Sequence, residues 1–261
     1  MAQQDSISIE IVNVLGVRIA AINIDKAVAQ ISKWIESNTR TYICVTGAHG
    51  VIESQSDLNL KKIHNLAGMC VPDGMPTVLV GKYLGHKDME RVRGFDLMDK
   101  TVEYSAAKGY THFFYGGKEG TPELLKDKLQ ERFPGLKVVG TYSPPFRPLN
   151  ENEENELKDK IESLAPDIIW VGLSTPKQEK WMAAHLGQLN AKVMIGVGAA
   201  FDFHTGQLKE APEWIQKISL EWFYRLLVEP RRLWRRYFYI VPAFLFLIFC
   251  QLAGLKKYNL E

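Results

Sequence analysis

The chain has 261 residues, 46% of them hydrophobic, which is a length for one large domain or two small lobes and ample apolar material for a core; disordered and collagen-like architectures are excluded. Lysine and arginine number 32 against 30 aspartate and glutamate, and a formal charge of +2 is too balanced to indicate nucleic-acid binding. Cys44, Cys70 and Cys250 are odd in number and widely spaced, with no Cys-x-x-Cys pair and no His at ligand spacing, which argues against a disulfide framework or a metal cluster.

The N-terminus, MAQQDSISIEIVNVLG, is polar and then alternating. It lacks the basic flank and continuous apolar stretch of a secretory signal, so residence inside the cell is expected. Ile24, Ala27, Val28, Ile31, Trp34 and Ile35, spaced three and four apart, predict an amphipathic helix. Short β-rich runs then alternate with such segments: Thr41 to Val45, Met69 to Pro72, His112 to Tyr115, Lys137 to Thr141, Asp167 to Val171 and Lys192 to Val197. This alternation predicts an α/β fold, Rossmann-like, with a largely parallel sheet and flanking helices. The three prolines of Ser143 to Pro148 make that stretch the expected soft joint.

The character of the chain changes near Ala211, and a division into a catalytic domain at 1–212 and an appendage at 213–261 is expected. From Glu221 to Lys257 seven basic residues stand against two acidic ones, a local +5. On a helical wheel Arg225, Arg232 and Arg236 share one face, with Trp222, Leu226, Leu233 and Tyr237 opposite. Nineteen uncharged residues follow, Tyr237 to Leu255. As a helix they would run about 28 Å, barely the span of a bilayer core. Pro242 and Gln251 argue against a simple spanning helix, so a membrane appendage that crosses the bilayer and one that lies along it both stay open. The positive-inside tendency places the α/β body in the cytoplasm.

Four constellations could carry chemistry. Asp73, in Val71-Pro72-Asp73-Gly74-Met75-Pro76, stands where a strand ends, the edge at which parallel sheets bind ligands; a carboxylate there can act as a general base, although Pro-Asp-Gly is equally ordinary turn chemistry. Gly116 and Gly117, opening Gly-Gly-Lys-Glu-Gly before a helix, could admit a phosphate to backbone N–H groups or merely turn the chain. Gly172-Leu173-Ser174-Thr175-Pro176-Lys177-Gln178-Glu179 follows a strand and opens a helix; the Gln178 amide both donates and accepts, and Gln and Glu in a first turn are also capping residues. Gly196-Val197-Gly198 ends the last predicted strand, before Asp202, which reads as structural.

In their order and spacing these motifs resemble the WecG/TagA/CpsF family of glycosyltransferases, glycosyltransferase family 26. The resemblance runs over Val12 to Arg236. It is carried by Thr46 in VTGAHG, by VPDGMP, by Arg91 in ERVRGFDLM, by the GGKEG turn, by GLSTPKQEKW and GVGAAFDFHTG, and by the tail EWFYRLLVEPRRLWRRY. It implies an inverting, metal-independent transfer of a sugar, N-acetylmannosamine or a related hexose derivative, from a UDP-sugar to a polyprenyl-diphosphate-linked acceptor for a cell-surface polysaccharide. No cofactor is implied. The work would be done at the cytoplasmic face of the membrane, with the appendage over residues 221–257 docked on lipid; assembly into a homo-oligomer is left open. By the same resemblance Asp73 is the general base, Thr46 and Gln178 line the substrate pocket with Arg91 beside it, and Arg225, Arg232 and Arg236 contact diphosphate. The chain departs from the family where Thr-x-Asn-x is usual: it reads Thr46-Gly47-Ala48-His49, so that His49 either substitutes for the missing Asn at the substrate or is an ordinary turn residue. Ser174 stands where glycine is usual. A membrane-anchored, non-catalytic nucleotide-sensing module is the alternative reading.

Overall fold

The computed structural model describes residues 9–212, 214–215 and 221–260; within the last stretch the side chains of Arg232, Arg235 and Arg236 lie outside the described set. Six parallel strands form one sheet in the order β4-β3-β8-β7-β5-β6, comprising β3 (Thr41–Thr46), β4 (Met69–Pro72), β5 (Thr111–Gly116), β6 (Lys137–Tyr142), β7 (Ile168–Gly172) and β8 (Val193–Gly196). Each lies on one of the six predicted runs, with ends shifted by a residue or so. The architecture is α/β and Rossmann-like, as the alternating pattern requires.

Alternation along the strands splits the core in two. Tyr42, Cys44, Phe113, Tyr115, Ile169 and Val171 face one side, and Ile43, Phe114, Ile168, Trp170 and Ile195 the other. Both faces are apolar because helices cover both, as all-parallel sheets demand. The predicted first helix is α1 (Ile24–Glu36), capped by Asn23. A hairpin precedes it, β1 (Ile11–Val14) and β2 (Val17–Ala20), antiparallel and separate from the main sheet. Its two-residue turn takes left-handed φ values at both Leu15 (53°) and Gly16 (81°). Leucine is a poor residue for that region, so the turn carried no sequence signal.

Several helices start directly after a strand, at the sheet's carboxyl edge: α2 (Ala48–Ser56) after β3, α4 (Met75–Tyr83) after β4, α8 (Lys177–His185) after β7 and α9 (Ala200–His204) after β8. Between them lie α3 (Leu58–Leu66), α5 (Gly94–Lys108), α6 (Thr121–Arg132) and α7 (Glu151–Leu164).

The tail forms α10 (Glu221–Val228) and α11 (Pro230–Leu252). Its apolar run is not a free hydrophobic rod. Leu233, Ile240, Phe244 and Ile248 make a buried stripe, and the last three join the core cluster that also contains Val51 and Ile52 of α2. Gln251 then clasps the hairpin: its Oε1 accepts from the Leu15 N–H at 2.8 Å and its Nε2 donates to the Asn13 carbonyl at 2.8 Å. Asn13 Nδ2 in turn donates to the Tyr258 carbonyl at 2.7 Å. Among the described residues no helix is long and apolar enough to cross a membrane. The crossing arrangement left open for Tyr237 to Leu255 is therefore corrected: one face of that helix is spent on the protein's own core, and its polar Gln251 is spent on a β-turn. The opposite face is apolar and exposed, with Phe238, Leu245, Phe246 and Phe249 each at least 62% accessible.

Candidate active site

A cavity of about 400 Å³ opens above the carboxyl ends of β3, β4, β7 and β8. Chain order explains its place. Connections from β3 lead outward to β4 on one side, whereas β8 and β7 lie on the other, so the loops part there and leave a crevice. Helices α2 and α4 have Gly47 and Gly74 as their N-caps, neither offering a side-chain cap and both lining the cavity, so uncapped N–H groups and positive helix ends meet there.

Asp73 lies between those two starts, half-buried on the cavity wall, its N–H bonded to the Thr46 carbonyl at 3.2 Å. Its carboxyl is pushed up to about 6, first by loss of water around it and then by the negative charge of Glu221. Arg225, Arg91 and the Gly94 backbone N–H pull the other way without cancelling the shift. A carboxylate near 6 is largely ionised at neutral pH yet basic enough to take a proton, the compromise a general base needs.

A charged collar surrounds it. Arg91 Nη1 donates to Glu221 Oε2 at 3.0 Å, and Arg93 Nη1 lies 3.8 Å from the same oxygen. Arg93 also grips Asp96 through Nε and Nη2 at 2.6 Å each, and reaches Glu210 Oε2 at 3.2 Å. Arg225, on α10, lines the cavity with its guanidinium 5.7 Å from the Phe203 ring centre. Gln178 is 2% exposed but reaches the cavity wall; its Oε1 accepts from the Gly198 N–H at 2.9 Å. His49 also lines the cavity, its Nε2 3.4 Å from Glu53 Oε1 one helical turn on. An apolar wall is supplied by Met75 and Pro76 of α4, Trp222 of α10, and Tyr237, Ile240 and Val241 of α11, and Ser174 and Thr175 add polar groups before α8.

Asp73, His49, Arg91, Gln178 and Arg225 are thus brought together. Thr46 is beside them but does not line the cavity; its side chain is 2% exposed and its Oγ1 is buried with no partner among the described residues. Gly116 and Gly117 are a correction. They lie at the carboxyl end of β5, beyond β7, and outside the cavity wall. The Gly117 N–H is spent on the Gly172 carbonyl at 3.0 Å, and a Cβ on Gly116, at φ 124°, would sit 2.6 Å from that same oxygen. These glycines let two neighbouring strand ends touch, outside the cavity that holds Asp73. Arg232 and Arg236 belong to α11, but their side chains lie outside the described residues. Sequence reasoning passed over Arg93 and Glu221. The alternation in Arg91-Val92-Arg93, with Val92 fully buried, was a signal that both arginines share one side; the reach of Glu221 across 130 positions carried none.

Residues 12–258 match the family described as "Glycosyl transferase WecG/TagA/CpsF family". The chain belongs to the WecG/TagA/CpsF family. Among curated relatives, an N-acetylglucosaminyldiphosphoundecaprenol N-acetyl-beta-D-mannosaminyltransferase of Bacillus spizizenii is 29% identical over 78% of this chain and 77% of its own. A protein of the same description from Staphylococcus aureus strain MRSA252 is 30% identical over 74% of this chain and 73% of its own. This WecG/TagA/CpsF protein is a glycosyltransferase, and the sensing-module alternative falls with that membership. The match begins within β1 and ends at Tyr258, so it takes in the hairpin, the whole sheet and both tail helices.

Proposed function

We propose that this enzyme transfers N-acetylmannosamine, or a related hexose derivative, from a UDP-sugar to a polyprenyl-diphosphate-linked N-acetylglucosamine, with inversion and without a metal. The observation that carries this is Asp73, a carboxyl held near pKa 6 on the wall of a cavity that three arginines also line. Asp73 takes the proton of the acceptor hydroxyl as that oxygen attacks the anomeric carbon; the bond to the donor's diphosphate breaks on the opposite face and UDP departs with the electron pair. Arg91 and Arg225 offset the charge that grows on the diphosphate, helped by the uncapped starts of α2 and α4. Arginine suits this because its planar fork can hold two phosphate oxygens at once. For that, Arg91 exchanges Glu221 for phosphate.

The relatives' names supply the acceptor's form, and the cavity's apolar wall supports it, since Trp222, Tyr237 and Val241 suit the first carbons of a prenyl chain. His49 completes the substrate seat in this reading, with Thr46 lying beside it, and Arg232 and Arg236 add further positive charge. The segment from residue 213 onward acts as an appendage that rests on the cytoplasmic face of the membrane through the exposed stripe of α11, flanked by Lys256 and Lys257.

The deciding experiment is Asp73→Asn assayed with UDP-N-acetylmannosamine and a short-chain prenyl-diphosphate N-acetylglucosamine. Turnover should fall by about 10²–10⁴-fold, while UDP binding, read by calorimetry, persists. Unchanged turnover removes Asp73 as the base.

A further inference from the structure

Glu179 is a carboxylate with 0% exposure, at the third position of α8, and it is not among the residues that line the cavity. One of its oxygens does double duty: Oε1 accepts from Thr175 Oγ1 at 2.8 Å and from Gln178 Nε2 at 3.1 Å. The other, Oε2, is buried with no hydrogen-bond partner among the described residues. Burial raises the carboxyl's pKa, as expected for an anion so placed. The N-cap of α8 is Pro176, which makes no side-chain cap bond, and the Glu179 backbone N–H favours the carboxylate without outweighing its burial. A buried carboxylate left half unsatisfied is a costly feature, and such a feature needs a reason.

Both donors that Glu179 engages line the cavity. Gln178 is held at two ends: its carbonyl oxygen accepts from the Gly198 N–H and one amide hydrogen goes to Glu179, so what remains for a ligand is the second amide hydrogen and one lone pair of that oxygen. Thr175 gives its only hydroxyl hydrogen to Glu179, so what remains is the oxygen's lone pairs. Because both bonds end on the same atom, the two groups are close enough for one ligand oxygen to reach both. A phosphate oxygen would suit Gln178 but would face the lone pairs of Thr175. A hydroxyl suits both.

We infer that Glu179 is a positioning residue: it fixes Gln178 as a donor and Thr175 as an acceptor toward the cavity, and the pair seats one sugar hydroxyl of the substrate. This deepens the functional reading above and rests on it. Glu179 itself touches no substrate in this arrangement; it sets the hydrogen-bond polarity of two residues that do.

The full-length enzyme, assayed with donor and acceptor analogues that each lack a single hydroxyl, tests this. The wild type should lose about tenfold or more in kcat/KM on one analogue of the series, because a missing hydroxyl leaves both seat residues unpaired. Glu179→Leu should bring that ratio to within about twofold of unity, whereas Glu179→Gln, which keeps a carbonyl oxygen at the Oε1 position, should retain most of it. Thr175→Val, a cavity-side change that leaves the buried carboxylate in place, repeats the test if Glu179→Leu does not fold by circular dichroism. Equal losses on every substrate in Glu179→Leu mark a merely structural residue and overturn the inference, as does a Glu179→Gln enzyme as indiscriminate as Glu179→Leu. A wild type that transfers normally yet tolerates every missing hydroxyl overturns the inference alone. Absence of transfer from every nucleotide sugar overturns the functional reading and the inference with it.

Discussion

At the scale of single residues the site is organised by competition between Asp73 and its neighbours. Its carboxyl stands near 6 because burial and Glu221 outweigh Arg91 and Arg225. The proposed base is active only when ionised, so kcat/KM should rise with pH through about 6 and level off above it. Glu221→Gln removes one of the two raising influences and frees Arg91, so the acid limb of that profile should move to lower pH and KM for the nucleotide sugar should fall. A pH–rate series on both proteins checks this. The same shift has a cost in stability. A carboxyl whose folded value lies above its unfolded value of 3.8 stabilises the fold fully below about 4, and that contribution is lost as pH rises through about 6. Asp73→Asn should therefore raise the melting temperature at pH 8 more than at pH 5, with a gain of order 1–3 kcal/mol at the higher pH. Ser174 shows a different residue-scale effect. Its φ of 66° lies in the left-handed region that favours glycine, which explains why glycine is usual there.

At the scale of elements the tail helices behave differently from each other. None of the described residues of α10 is buried, and it is held at the cavity mouth by the Arg91–Glu221 pair, by Arg225 against Phe203, and by Trp222 edge-on to Tyr237 at 5.8 Å. Helix α11 is held by packing and by Gln251. Pro242 is tolerated within it because its own side chain is exposed, so the bond it forfeits lies on the outer side of the helix. Gln251→Ala should cost about 1–2 kcal/mol in urea unfolding, since two part-buried backbone groups of the hairpin lose their partner.

At the scale of the whole molecule, the exposed stripe of α11 starts beside the cavity and runs on toward the end of the helix: Tyr237, Ile240 and Val241 line the cavity, while Phe238, Leu245, Phe246 and Phe249 are exposed. A lipid-linked sugar leaving a membrane beneath that stripe would meet the apolar wall first and Asp73 beyond it. Replacing Phe238, Phe246 and Phe249 together by serine should reduce sedimentation with anionic vesicles by about tenfold or more, given that each buried phenyl ring contributes roughly 2 kcal/mol. Turnover on a short-chain, water-soluble acceptor should change little, because none of the three lines the cavity.

The alternation of apolar runs determined the parallel sheet, because strands buried on both faces leave a local signature that neighbours cannot hide. The same locality made Asp73 legible: a carboxylate directly after a strand must sit at the edge where ligands bind. Gly116 and Gly117 were misread because a glycine admits a phosphate and a crowding neighbour strand for the same reason, and only the pairing of β5 with β7 separates the two. The apolar run of the tail was legible as membrane-like, but not as half spent on the core. That split depends on which face of α11 meets α2, and on the meeting of Gln251 with a hairpin more than two hundred residues earlier. Arg93, Glu221 and Glu179 were silent for the same reason: what each does is fixed by partners that the fold, and not the chain order, brings within a bond length.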